Sequence, residues 1–116
     1  KAQEDEARFQ KLKAPFFGIA FTDGTIQVRV LESVQEYIEK GQALHHCVFS
    51  NEYHLKEKSL ILSARIEGKR VETIELSLET MEVLQSRGLM NQNTEYHERI
   101  IELVHQNIKE IQSRVA

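Results

Sequence analysis

Ser59-Leu60-Ile61-Leu62-Ser63-Ala64-Arg65-Ile66 and Val71-Glu72-Thr73-Ile74-Glu75-Leu76-Ser77-Leu78 are two β-rich runs joined across Gly68. Side chains alternate across a strand, so Leu60, Leu62, Ala64 and Ile66 share one face of the first run. Ile74, Leu76 and Leu78 do the same in the second. A link this short favours antiparallel pairing, and Met81 to Gly88 reads as a third strand of the same meander. The apolar face of such a sheet has to be covered by another layer.

Working outward, Phe16 to Thr22 and Thr25 to Leu31 read as a hairpin turning on Asp23-Gly24, because that turn needs a residue at positive φ. Ser33 with Glu36 forms a capping box, and Leu31 with Tyr37 a hydrophobic staple. These place a helix from Val34 that buries Val34, Tyr37 and Ile38 and ends at Gly41. Residues 42–58 have no clean period. Beyond the meander, 88–93 reads as a loop, and Thr94 caps a long final helix with Tyr96, Ile100, Val104, Ile108, Ile111 and Val115 on one face. The fold class is therefore α+β, an antiparallel sheet of a hairpin plus a three-stranded meander, with helices packed on one face.

The chain has 116 residues, enough for one core, with 41% hydrophobic and 28% charged residues, the balance of a folded domain. Residues 1–14 read as an N-terminal tail, helical or disordered over 1–13 with Phe9 and Leu12 as a thin stripe and Pro15 closing it. Starting at Lys1 rather than Met, this tail reads as the end of a preceding region, and 15–116 as a single domain. The formal charge of −3, with scattered lysines and arginines, disfavours nucleic-acid binding by this segment. No run approaches ~18 apolar residues, so no membrane span is expected. A single cysteine cannot form an internal disulfide, which points to the cytoplasm.

Two groups of residues carry candidate chemistry. The first lies on the polar face of the meander: Ser63, Arg65, Thr73 and Glu75, joined by Gln85 and Arg87 if a bulge or strand end turns them away from Val83 on their own face. Alternation alone makes this the solvated face of an amphipathic sheet, with Arg65–Glu75 a surface pair worth roughly 0.2–1 kcal/mol. The second is the only cysteine, in His45-His46-Cys47-Val48, with Tyr53 and His54 following. A cysteine reached by an imidazole becomes a nucleophile, and His45, His54, His97 or His105 is better placed to reach it than the adjacent His46. Glu75 or Asn91 then orients the ring. The plainer reading is a small buried hydrophobe. A zinc site from these histidines and Cys47 lacks the usual ligand spacing, so no metal and no cofactor is assigned.

Taken together, Gly41, His46-Cys47-Val48, Tyr53, Ser59 to Arg65, Thr73-Ile74-Glu75, Gln85-Ser86-Arg87-Gly88 and Asn91 resemble the PcfJ-like protein family, whose hallmark is the His-Cys-Val triplet. The resemblance covers roughly residues 33 to 110. It implies a bacterial, cytoplasmic protein associated with conjugative plasmids, phages and other mobile elements, and it brings no established catalytic set. The positions it matches include Arg65, Thr73, Gln85, Arg87 and Asn91, which are expected to bind a phosphate, a carboxylate or a peptide end on a small ligand or protein partner. The alternative is a hydrolase or group-transfer enzyme with Cys47 as nucleophile, assisted by His46 and Glu75.

Overall fold

Both central residues of the link between the two quoted runs, Glu67 and Gly68, adopt positive φ (50° and 79°), as a tight hairpin turn requires. The computed structural model describes residues 2–45 and 52–115. In it the runs form β3 (Ser59–Ile66) and β4 (Lys69–Ser77), paired antiparallel with Leu62 opposite Ile74 and Ser63 opposite Thr73. β1 (Ala20–Thr22) and β2 (Ile26–Val30) add to the β3 side and β5 (Val83–Arg87) to the β4 side. All five strands make one antiparallel sheet in the order β1-β2-β3-β4-β5. The first hairpin turns one residue later than expected. Gly24 takes φ +99°, and the Asp23 carboxylate accepts the N–H groups of Thr25 and Ile26.

Helices cover both faces of this sheet, where one covered face was expected. Leu60, Leu62, Ile74 and Leu76 pack with Ile100, Val104 and Ile111 of α3 (His97–Gln106) and α4 (Ile108–Gln112). Ile61, on the opposite side of β3, packs with Phe9 of α1 (Ala2–Lys13) and with Val34 and Tyr37 of α2 (Val34–Leu44). The physical reason is Ile61 itself, an apolar side chain on the otherwise polar face that needs its own cover. Phe9 is fully buried, its ring 5.3 Å from Tyr37 and 5.7 Å from Phe17. The Lys13 amine donates to the carbonyls of Lys56, Glu57 and Ser59, fastening α1 to the approach to β3.

α2 begins as expected, with Ser33 Oγ accepting the Glu36 N–H at 3.2 Å. The Glu36 carboxylate accepts the N–H of Glu32. Gly41 does not end the helix. Leu44 continues the buried stripe, and the stop falls at His45, in the left-handed conformation at φ 54°, whose N–H donates to Gly41 O. The final helix is broken at Asn107, whose side-chain amide donates to Leu103 O and competes with the backbone ladder. Among the described residues no helix is long and apolar enough to cross a membrane.

Candidate functional site

With α1 and α2 laid over it, the polar face of the sheet is buried rather than solvated. Ser63, Thr73 and Glu75 are all buried, and so are Ser59 and Ser77 on the same face. Both oxygens of Glu75 are occupied: Oε2 accepts from Ser59 Oγ at 2.6 Å and Oε1 from Gln85 Nε2 at 2.8 Å. Gln85 also donates to the Tyr53 hydroxyl at 3.1 Å, and the Lys56 ammonium sits 3.9 Å from the centre of the Tyr53 ring. Glu75 therefore orients no imidazole among the described residues.

The bulge that Gln85 and Arg87 require is present. Glu75 pairs with Gln85 but Leu76 pairs with Val83, so Leu84 is an extra residue and Val83 is turned to pack against the α3 core. Gln85 and Arg87 thus share the face of Glu75 and Thr73, their cross-strand partners. Arg87 lies at the sheet edge, its guanidinium bound to Ser86 O and to Asn93 Oδ1 at 3.1 Å. Asn91 is exposed in the short turn Leu89–Asn91, at φ 64°. A surface Arg65–Glu75 pair does not form. Glu75 lies opposite Ile61 and Arg65 opposite Arg70, with Val71 an extra residue between the partners of Ala64 and Arg65.

The residue that sequence reading missed is Lys40. Its side chain is fully buried, and its amine donates to Ser63 Oγ at 2.8 Å. Burial, reinforced by the charges of Arg65, Arg70 and Arg29, brings its pKa down to about 6, so the amine is neutral at pH 7. The signal was its spacing: Val34, Tyr37, Lys40 and Leu44 recur at helical intervals, and a lysine in that stripe must enter the core. The surrounding arginines are mostly paired, Arg29 with Glu36 and Arg70 with Glu39 at 3.4 Å. Arg65 differs. Among the described residues it makes no carboxylate pair, and its Nε is buried with no hydrogen-bond partner. Burial and the neighbouring Arg70 and Arg29 push its pKa below the usual value.

His46, Cys47 and Val48 lie outside the described residues. At the end of their segment His54 is fully buried, with Nε2 3.0 Å from Asp5 Oδ2 and its ring 5.6 Å from that of Tyr37. His97 and His105 belong to α3, on the other side of the sheet from α2. Among the described residues, no group of three or more His, Cys, Asp or Glu side chains is arranged to hold a metal ion.

Compared with known proteins, residues 1–101 match the family model described as PcfJ-like protein. The match takes in the N-terminal hairpin and α1, which the motif-based resemblance left aside, and stops before α4. No curated protein and no solved structure matches the chain.

Proposed function

The chain belongs to the PcfJ-like protein family, and from that premise we propose that it is a binding domain of a cytoplasmic, bacterial mobile-element protein, of conjugative plasmid or phage type. Its ligand carries an anionic group, a carboxylate or a phosphate, on a small molecule or a protein partner. Arg65 takes the anion, Thr73 and Gln85 line the approach, and Arg87 and Asn91 form the rim.

The observation that carries this reading is Arg65. A guanidinium offers five donors, and a buried N–H without an acceptor is costly unless something supplies one. Its arginine neighbours have carboxylate partners and, among the described residues, Arg65 has none. A bidentate anion satisfies it directly. The net charge of −3 argues against a nucleic-acid backbone in that place.

Calorimetric titration at low salt with inorganic phosphate and with a short peptide bearing a free carboxylate tests the proposal. One of the two should bind, and Arg65→Ala should weaken it at least tenfold, with Arg65→Lys intermediate because lysine lacks the fork. The absence of any Arg65-dependent component in the binding of either probe would overturn it.

The second reading is a hydrolase or group-transfer enzyme with Cys47 as nucleophile and His46 and Glu75 in support. The His54–Asp5 pair favours it, because a carboxylate already orients an imidazole seven residues from the thiol. On this reading iodoacetamide labelling of Cys47 should show an inflection well below the ordinary thiol value of ~8.5. In Asp5→Asn the inflection should move upward. An ordinary inflection in the unaltered protein rejects the reading.

A further inference from the structure

The other face of the sheet holds a carboxylate that the Arg65 site does not use. Glu72 sits on the core side of β4, opposite Ala64, and is fully buried. Four donors converge on it. Oε1 accepts from Ser86 Oγ at 2.6 Å and from His97 Nδ1 at 2.9 Å. Oε2 accepts from the Thr94 backbone N–H at 2.9 Å and from Thr94 Oγ1 at 2.6 Å. Burial alone would raise its pKa, but these hydrogen bonds outweigh it and hold the carboxyl below its usual value. The loop bringing Thr94 to Glu72 is pressed against Gly88, where a Cβ would lie 2.7 Å from Thr94 Cγ2 and from Val71 O.

An ionised carboxylate only accepts, so the His97 nitrogen bound to it carries a proton. Nδ1 is thereby committed and the ring orientation fixed, as in sites where a carboxylate positions a histidine for work at its far nitrogen. Nε2 has no partner among the described residues. The ring is 23% exposed and lines a cavity of about 370 Å³ between β5 and α3. Arg87 lines the same cavity. Its Nη1 is anchored to Ser86 O and Asn93 Oδ1, which leaves Nη2 and Nε for a ligand. His105 and the exposed Glu82 also line it. Glu82 immediately precedes β5, at the opposite end of that strand from Arg87.

We infer that this cavity is a second ligand site, for a small phosphate monoester, with Arg87 holding the phosphate oxygens and His97 Nε2 bonding a further one while Glu72 positions the ring. Phosphate is favoured over other anions because it can keep or lose its second proton around neutral pH. A phosphate oxygen that carries a proton donates to Nε2, and one that carries none accepts from an Nε2–H. Sulfate has no such proton and meets only the second case.

The test is an NMR titration of the full chain with inorganic phosphate, following the His97 ring nitrogens, with sodium sulfate at equal ionic strength as comparison. Phosphate should shift His97 Nε2, Arg87→Ala should weaken this binding at least tenfold, and His97→Gln, followed through the β5 backbone amides, should do the same. Arg65→Ala should leave it unchanged, which separates this site from the one on the α2 face even though Arg87, at the sheet edge, borders both. Thermal melts of each variant confirm folding, and Arg87→Lys provides a milder change if the alanine variant unfolds. An unmoved His97 resonance, a shift undiminished in a folded Arg87 variant, or equal binding of sulfate would overturn the inference.

Discussion

Replacing Lys40 with methionine is expected to stabilise the domain at pH 7 and to remove most of the rise of its stability with pH. Methionine matches the length of the lysine stem and has no amine to desolvate. In the unfolded chain the amine keeps its ordinary value of 10.5, whereas in the fold it is about 6. Between those values the unfolded state binds a proton that the folded state does not. Stability therefore increases with pH through this window, by about 1.4 kcal/mol per unit at most. At pH 7 the penalty relative to alkaline solution is on the order of 4 kcal/mol. The buried Lys13, with its pKa lowered to about 8 chiefly by burial, acts in the same direction but only at higher pH. Comparing urea unfolding of parent and variant between pH 7 and 8 isolates Lys40, because the smaller Lys13 contribution is common to both. If the methionine variant keeps the slope of the parent, Lys40 is protonated in the fold and the account of the α2 face is wrong.

Removing the Glu72 carboxylate should have the opposite sign and similar size. Glu72→Ala strands the Thr94 N–H and hydroxyl, the Ser86 hydroxyl and the His97 Nδ1–H around an empty space. Breaking a buried charge-assisted network from one side costs about 3–5 kcal/mol. Glu72→Gln keeps the volume but sets an amide donor among donors, and should cost about 1–3 kcal/mol. Because the folded carboxyl titrates below its ordinary value, its contribution is fully present above that value and is lost as the pH falls through the folded one. The glutamine variant should therefore lose less stability than the parent on acidification. Guanidinium melts at pH 7 and pH 4 measure both effects. A cost under about 1 kcal/mol for the alanine variant would mean that water replaces the carboxylate.

How far the sequence could be read follows from which forces are local. Strand alternation identified β3 and β4 and the shared face of Ser63, Thr73 and Glu75, because the period of two is built into the backbone. It could not supply the register, which sets Arg65 opposite Arg70 and Glu75 opposite Ile61, well apart along the ladder. The bulge at Leu84 was legible only as a condition: Gln85 and Arg87 join the polar face if Val83 leaves it. The second helical layer was signalled by one residue, Ile61, and by Lys40 falling in an apolar stripe. Glu72 carried the same kind of signal, a carboxylate on the parity of Ile74 and Leu76, but its four donors come from β5, the following loop and α3. Only the tertiary fold brings those together. The candidate site was thus legible as a set of side chains on one face, and its burial was not.

The two layers of helix are unequally attached. Among the described residues, fourteen buried ones form the cluster joining the sheet to α3 and α4, against five in the cluster beneath α1 and α2. The smaller cluster also rests on a floor of hydroxyls, an amine and a carboxylate, which give back little when separated from water. Such a molecule has two cooperative units of different strength, and the weaker one opens first. The α1–α2 layer can lift while the sheet stays folded on α3, so amide protons of α2 should exchange by a lower-energy opening than those of β3 and β4. Access to Arg65 and Ser63 is then governed by that opening equilibrium as well as by the fit of whatever binds there.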